Sequence, residues 1–320
     1  MISFRYHIVS IVSVFLALAI GVALGGGPLK GEVDNTLVDQ VKADREAKTA
    51  LQAQITALKA TGGFDDTFAD TVAPTLLGSS LKGHAVELVV LPTASQSDVS
   101  ALAQYVTTAG GTVGGTLRVG DGLVDVGNKQ LVDELGTQLE DGASGVTVPA
   151  DASGYQRMGA LIARAIGTDK TGGEPVDSTA DSILAGLSTA GMMSAEGTLS
   201  RRGDLVMVVA GSGSGDTQSR QGTNSIVTTL VEAIDTDTKG VVLTGPVAAA
   251  RTNGVVKAVR DDVTAARDVS TVDTLGRAAG QVVSVMALAE QAAGKTGHYG
   301  AVDAADGAMP GASGAAGAGD

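Results

Sequence analysis

Residues 85–92 read AVELVVLP. The run is short, dominated by apolar and β-branched residues, and stopped by Pro92. A run of this kind without polar alternation reads as a strand buried on both faces, the signature of a parallel sheet. Downstream, Ser97-Asp98 can cap a helix over VSALAQYVTTAG that ends at Gly110-Gly111. GTVGGTLRV then supplies a second strand with a glycine bend. Strand, helix and strand in that order form a βαβ unit.

The alternation continues. Helical patterns lie around 128–140, 154–167 and 178–191. DLVMVVAG at 204–211 is the clearest strand, followed by a helix at 225–236, a strand at 240–246, a helix at 253–266, a short strand at 269–273 and a final helix within 276–294. The expected fold class is α/β, a mainly parallel sheet flanked by helices, over residues 84–300. Residues 301–320, rich in Gly and Ala without periodicity, read as a disordered tail.

Upstream of the sheet, residues 8–24 read IVSIVSVFLALAIGVAL, carry no charge, and run into Gly25–Gly27. About 20 helical residues cover the ~30 Å hydrocarbon core, and a helix satisfies its own backbone groups there. Residues 1–27 thus read as a transmembrane anchor. Arg5 precedes it, whereas Lys30, Glu32 and Asp34 follow, so the positive-inside tendency puts the N-terminus in the cytoplasm and the main domain in the extracytoplasmic space. The competing reading is a cleaved signal peptide, for which Ala17-Leu18-Ala19 offers a small-x-small site. Evenly spaced alternating strands of about ten residues, the pattern of an outer-membrane barrel, are missing from the sequence.

Residues 31–61 form a helical stretch free of proline, and free of glycine between Gly31 and Gly62. Leu37, Val41, Leu51, Ile55 and Leu58 fall on heptad core positions, interrupted by Asp44 and Lys48. This predicts a weak coiled coil and a parallel homodimer, with those five residues at the interface. The alternative is an amphipathic helix packed on its own domain. Gly62-Gly63 is expected to end the helix, with 62–83 as a connector that carries another helical piece over FDDTFADTVAPTLL, 64–77, stopping near Pro74.

Composition narrows the function. Lys and Arg number 22 against 35 Asp and Glu, a net charge of −13, which argues against a nucleic-acid partner. Hydrophobic residues at 43% support a real core. Cysteine is absent, which removes disulfides, thiolate metal sites and cysteine nucleophiles. The loop Gly211-Ser212-Gly213-Ser214-Gly215-Asp216 follows a strand but matches neither G-x-G-x-x-G nor a P-loop, and the next helix is expected only at 225, so the loop reads as a plain connection. No catalytic set stands out, and the chain does not read as an enzyme; no cofactor is evident. The soft or imidazole donors for copper are sparse: Met192 and Met193, adjacent on an expected helix, and His298 in a glycine-rich turn are weak candidates.

The two ends of the chain carry a signature. MISFRYHIVSIVSVFLALAIGVALG at the start and TVDTLGRAAGQVVSVMALAEQAAGKTGHYG at 271–300 resemble the actinobacterial MctB family of copper transport proteins, in order and spacing across about residues 1–300. The resemblance implies a cell-envelope protein concerned with copper efflux, with copper as cargo, described as a pore in the outer membrane of mycobacteria. Corynebacterial relatives imply a second role. There, a membrane-anchored protein of this build works with a cytoplasmic-side partner in septal cell-wall separation, which suits a tethered coiled coil facing a cell-wall protein.

Overall fold

A computed structural model of the chain describes residues 4–25, 29–149 and 151–311. It divides into two compact units, 1–64 and 65–320. In the first, α1 (Phe4–Gly25) is long and apolar enough to cross a membrane, and none of its residues is buried by protein. A second helix, α2 (Leu29–Leu77), follows.

The helix was expected to stop at Gly62-Gly63; it does not. Two helical glycines cost only about 1 kcal/mol each. Ala69, Ala73 and Leu77 recover more than that by burial in the second unit. Pro74 sits in the last turn, where it removes a single hydrogen bond. The true stop is Gly78 at φ +52°, whose N–H returns to the Pro74 carbonyl at 3.0 Å. The helical piece expected at 64–77 within the connector is present, as a continuation of α2 rather than a separate element.

The second unit opens with β1 (Ala85–Val90), α3 (Gln96–Thr108) and β2 (Thr112–Val119). The glycine bend foreseen in β2 is a register shift: Val86 pairs with Val113, but Glu87 pairs with Gly115, so Gly114 is the extra residue. Next come α4 (Asp121–Val124), α5 (Lys129–Gly142), α6 (Gly154–Ile166), β3 (Glu174–Pro175) and α7 (Ser178–Thr189). Then follow β4 (Met193–Ala195), β5 (Arg201–Arg202), β6 (Leu205–Val209) and α8 (Thr217–Thr236). The chain continues through β7 (Val241–Thr244), α9 (Val255–Asp261), α10 (Val263–Asp268), β8 (Ser270–Val272), α11 (Ala278–Ala292) and β9 (His298–Tyr299).

Seven strands form one sheet in the order β4-β2-β1-β6-β7-β8-β9, parallel except for β4. Side chains alternate between two cores, as strand geometry requires. Val89, Leu117, Val206, Val208 and Leu243 face α6, α7, α8 and α9. Val86, Leu88, Val90, Met207 and Val242 face α3, α11 and the last turns of α2. The result is the expected α/β class, helices on both faces of a mostly parallel sheet.

The structureless tail expected from 301 is corrected for 301–311. Asp273 accepts the N–H groups of Ala301 (2.7 Å) and Val302 (3.1 Å), and the Asp306 carboxylate accepts the His298 N–H at 2.7 Å. These partners lie far off in sequence or require a local turn, so composition did not reveal them. The remainder of the tail, 312–320, lies outside the described residues.

Candidate functional site

The sheet order places one crossover. From β1 the chain moves outward to β2, then returns to the other side of β1 as β6 and runs outward to β9. The two halves therefore diverge between β1 and β6. In open α/β sheets the crevice at the carboxyl ends of such strands is where ligands bind. The strands are held together at that point by Leu91 N–H donating to the Val209 carbonyl at 2.9 Å.

A cavity of about 770 Å³ opens there, between Thr93 after β1, α4 and the turn after it, the loop 211–216 after β6, and Asn253-Gly254 before α9. Its walls are locally shaped. Thr93 (φ +69°) and Asn253 (φ +62°) adopt the left-handed conformation unusual for non-glycine residues. A Cβ at position 211 would overlap the Thr93 backbone, so only glycine lets the two loops approach. The helix after the loop starts at Thr217, eight residues earlier than its sequence predicts. TQSRQGTN is polar and weak in helix propensity, but Asp216 caps it, its carboxylate accepting the Ser219 N–H at 2.8 Å. The glycine loop thus leads directly into a helix. This corrects the reading of the loop as a connection remote from any helix start.

The metal candidates do not converge. Met192 and Met193 are not on a helix: they follow α7 and enter β4, an edge strand, with both side chains in the core. His298 lies in β9, the opposite edge strand. Six strand spacings, about 29 Å, separate the edges. Both imidazole nitrogens are engaged: Nε2 donates to the Ala266 carbonyl at 2.9 Å, so Nδ1 accepts from the Thr271 hydroxyl at 2.9 Å. Burial, and the nearby Arg260 cation, hold the His298 pKa below its ordinary value despite the Ala266 bond. No group of three or more His, Asp or Glu is arranged to hold a metal among the described residues.

The C-terminal motif Gly297-His298-Tyr299-Gly300 resolves into structural work. The Tyr299 hydroxyl donates to the Glu290 carboxylate. A Cβ on Gly297 would overlap the Tyr299 ring, and Gly300, at φ +136°, sits against the Asp273 carboxylate.

Elsewhere, Glu87 is fully buried in β1 with neither carboxylate oxygen hydrogen-bonded among the described residues. It fills the space left by Gly114, Gly115 and Gly203. Burial pushes its pKa well above the usual carboxylate range. No motif pointed to it. Along α2, the five heptad residues are exposed: Leu37 by 56%, Val41 by 49%, Leu51 by 58%, Ile55 by 50% and Leu58 by 71%.

Fold and helix together define the class, an α/β protein carrying an N-terminal helix apolar enough for a bilayer. Over residues 1–310 the chain matches the family described as copper transport outer membrane protein, MctB, and it belongs to that family. It is 27% identical over 309 residues to proteins named copper transporter MctB from Mycobacterium tuberculosis and Mycobacterium bovis, covering 94% of this chain and 96% of each relative. The protein of the same name from Mycobacterium leprae is 27% identical over 321 residues, with the same coverage.

Proposed function

We propose that this protein is held in the cell membrane by α1, N-terminus in the cytoplasm, and serves copper tolerance from an α/β body in the extracytoplasmic space. It does so by taking part in copper efflux or by holding a transport partner, without catalysis of its own. One observation carries the reading: the family match spans the apolar helix, the body and the C-terminal motif without interruption. The scarcity of copper(I) donors favours a role in which the metal is cargo of an assembly rather than a resident of the body.

The test is genetic and chemical. A deletion strain should grow poorly in copper and recover with the full chain but not with a chain lacking residues 4–25. Copper sensitivity equal to the parent's sinks the proposal. Topology is open to thiol labelling, because the chain has no native cysteine. A Ser79→Cys variant should react with a membrane-impermeant reagent in intact cells.

A second reading is favoured by the exposed stripe on α2. A parallel homodimer paired through Leu37, Val41, Leu51, Ile55 and Leu58 would act as a scaffold coupling the membrane to cell-wall remodelling, with a cytoplasmic or cell-wall protein as partner. Chaining of cells in the deletion strain without copper sensitivity would select it over the first.

A further inference from the structure

We infer that the strand-end cavity binds a small polar molecule through one singly charged anionic group, a carboxylate or a phosphodiester. The first ground is a guanidinium with no hydrogen-bond acceptor among the described residues, partly offset in charge by its interaction with Asp216 nearby. Arg220, in the first turns of α8, lines the cavity with its stem 3.5 Å from the Cβ position of Gly213. Its Nε is enclosed, and its guanidinium donates to no protein group among the described residues. A guanidinium carries five donors in a fork matched to carboxylate and phosphate oxygens. Leaving them unused in a half-buried position costs free energy that a bound anion would return.

The second ground is the loop. Backbone N–H groups of Ser212, Gly213, Ser214 and Gly215 donate to no protein acceptor among the described residues. Gly213 (φ +77°) and Gly215 (φ +82°) are left-handed, so successive N–H groups alternate around a concave turn of the kind that cradles anions. The third is position: the cavity lies at the crossover between β1 and β6, independently of either feature.

The lining also restricts the ligand. Among the described residues no aromatic side chain lines the cavity, so a base or sugar finds no platform to stack on there. Asp121, Asp125 and Asp216 stand at the rim, and Asp125 and Asp216 already accept backbone N–H groups from Gly127 and Ser219. Three carboxylates repel a polyphosphate but accept hydroxyl or ammonium donors. The site therefore fits a monoanion that also carries such donors.

The test is titration calorimetry of the full chain in detergent with acetate, dimethyl phosphate and inorganic phosphate, each against chloride at equal ionic strength. Saturable binding in the millimolar range is expected from acetate, dimethyl phosphate or both, and the responding probe identifies the group. Arg220→Ala should weaken it about tenfold or more, whereas Arg267→Ala, an exposed arginine paired with Asp268, should leave it unchanged. Should Arg220→Ala fail to fold, Ser214→Glu, which adds a carboxylate to the exposed loop, should abolish binding. Equal binding by wild type and both cavity variants overturns the inference, as does a response no greater than chloride from all three probes.

Discussion

The Arg260 guanidinium lies 2.9 Å from the Asp273 carboxylate, with 7% and 0% of the two side chains exposed. Arg260 also donates to the Thr271 hydroxyl and to the Tyr299 carbonyl, each at 2.8 Å, and to the Val302 carbonyl. Asp273 takes the N–H groups of Ala301 and Val302 in return. One buried pair thus ties α9 and β8 to the chain beyond β9. Removing one partner leaves the other charge buried and unpaired, at a cost of about 3–5 kcal/mol. Asp273→Ala is expected to lower the urea midpoint of the full chain in detergent by a corresponding amount and to open residues 300–307 to protease. A midpoint equal to wild type would show that the pair contributes nothing.

Glu87 gives the fold a pH dependence of definite sign. Its folded-state pKa is raised, because burial disfavours the carboxylate and no donor compensates. Below the unfolded value of about 4.3 both states hold the proton, and the stabilisation is complete. As pH rises toward the raised value, only the unfolded chain releases it, and stability falls by up to about 1.4 kcal/mol per pH unit. Glu87→Gln should flatten the stability profile from the ordinary carboxylate range upward, where wild type loses stability, and raise stability near neutrality. A variant with the same slope as wild type would place the pH dependence elsewhere.

His298 titrates in the opposite sense. Its depressed pKa means that the unfolded chain takes up a proton first, so stability is lost as pH falls through about 6.5. Proton NMR should find the ring neutral at pH 6.5 with the hydrogen on Nε2, the tautomer its two bonds require. His298→Ala should destabilise the chain, whereas Met192→Leu and Met193→Leu, volume-conserving changes in the core, should cost less than about 1.5 kcal/mol each. If the copper-tolerance reading holds with the metal as cargo, copper tolerance follows stability in all three variants. A loss of tolerance by a stable Met192→Leu, Met193→Leu double variant would make those sulfurs copper ligands.

What the sequence made legible follows from how local each cause is. β1, β6 and β7 were readable because strands buried on both faces are apolar along nearly all their length, Glu87 in β1 and Thr244 in β7 being the exceptions. The edge strands β4 and β9, three and two residues long, are too short to carry a pattern. The start of α8 was hidden because its first turns are polar and its cap is a single aspartate at the end of a glycine run. Gly62-Gly63 misled because the burial that carries α2 to Leu77 is tertiary, not local. The cavity was invisible for the same reason. Its wall joins Thr93, Arg220 and Asn253, residues that only the crossover brings together.

The stripe on α2 supplies the last prediction. At about 100° per residue, Leu37, Val41, Leu51, Ile55 and Leu58 share one face roughly 100° wide. The first unit leaves all five about half exposed or more, in contrast to Ala69, Ala73 and Leu77, spaced by four further along the same helix, which are buried. Five large aliphatic side chains in water forgo about 1.5–3 kcal/mol each relative to full burial, enough to drive pairing of helices held in one membrane plane. Asp44 and Lys48 interrupt the stripe, so the pair should be weak without the tether and sensitive to added charge. Cross-linking in membranes is expected to trap a dimer of the wild type and a monomer of the Leu51→Asp, Ile55→Asp, Leu58→Asp variant, with the urea midpoint of the body unchanged. A monomeric wild type in native membranes would reject self-pairing and leave the stripe to a different helix.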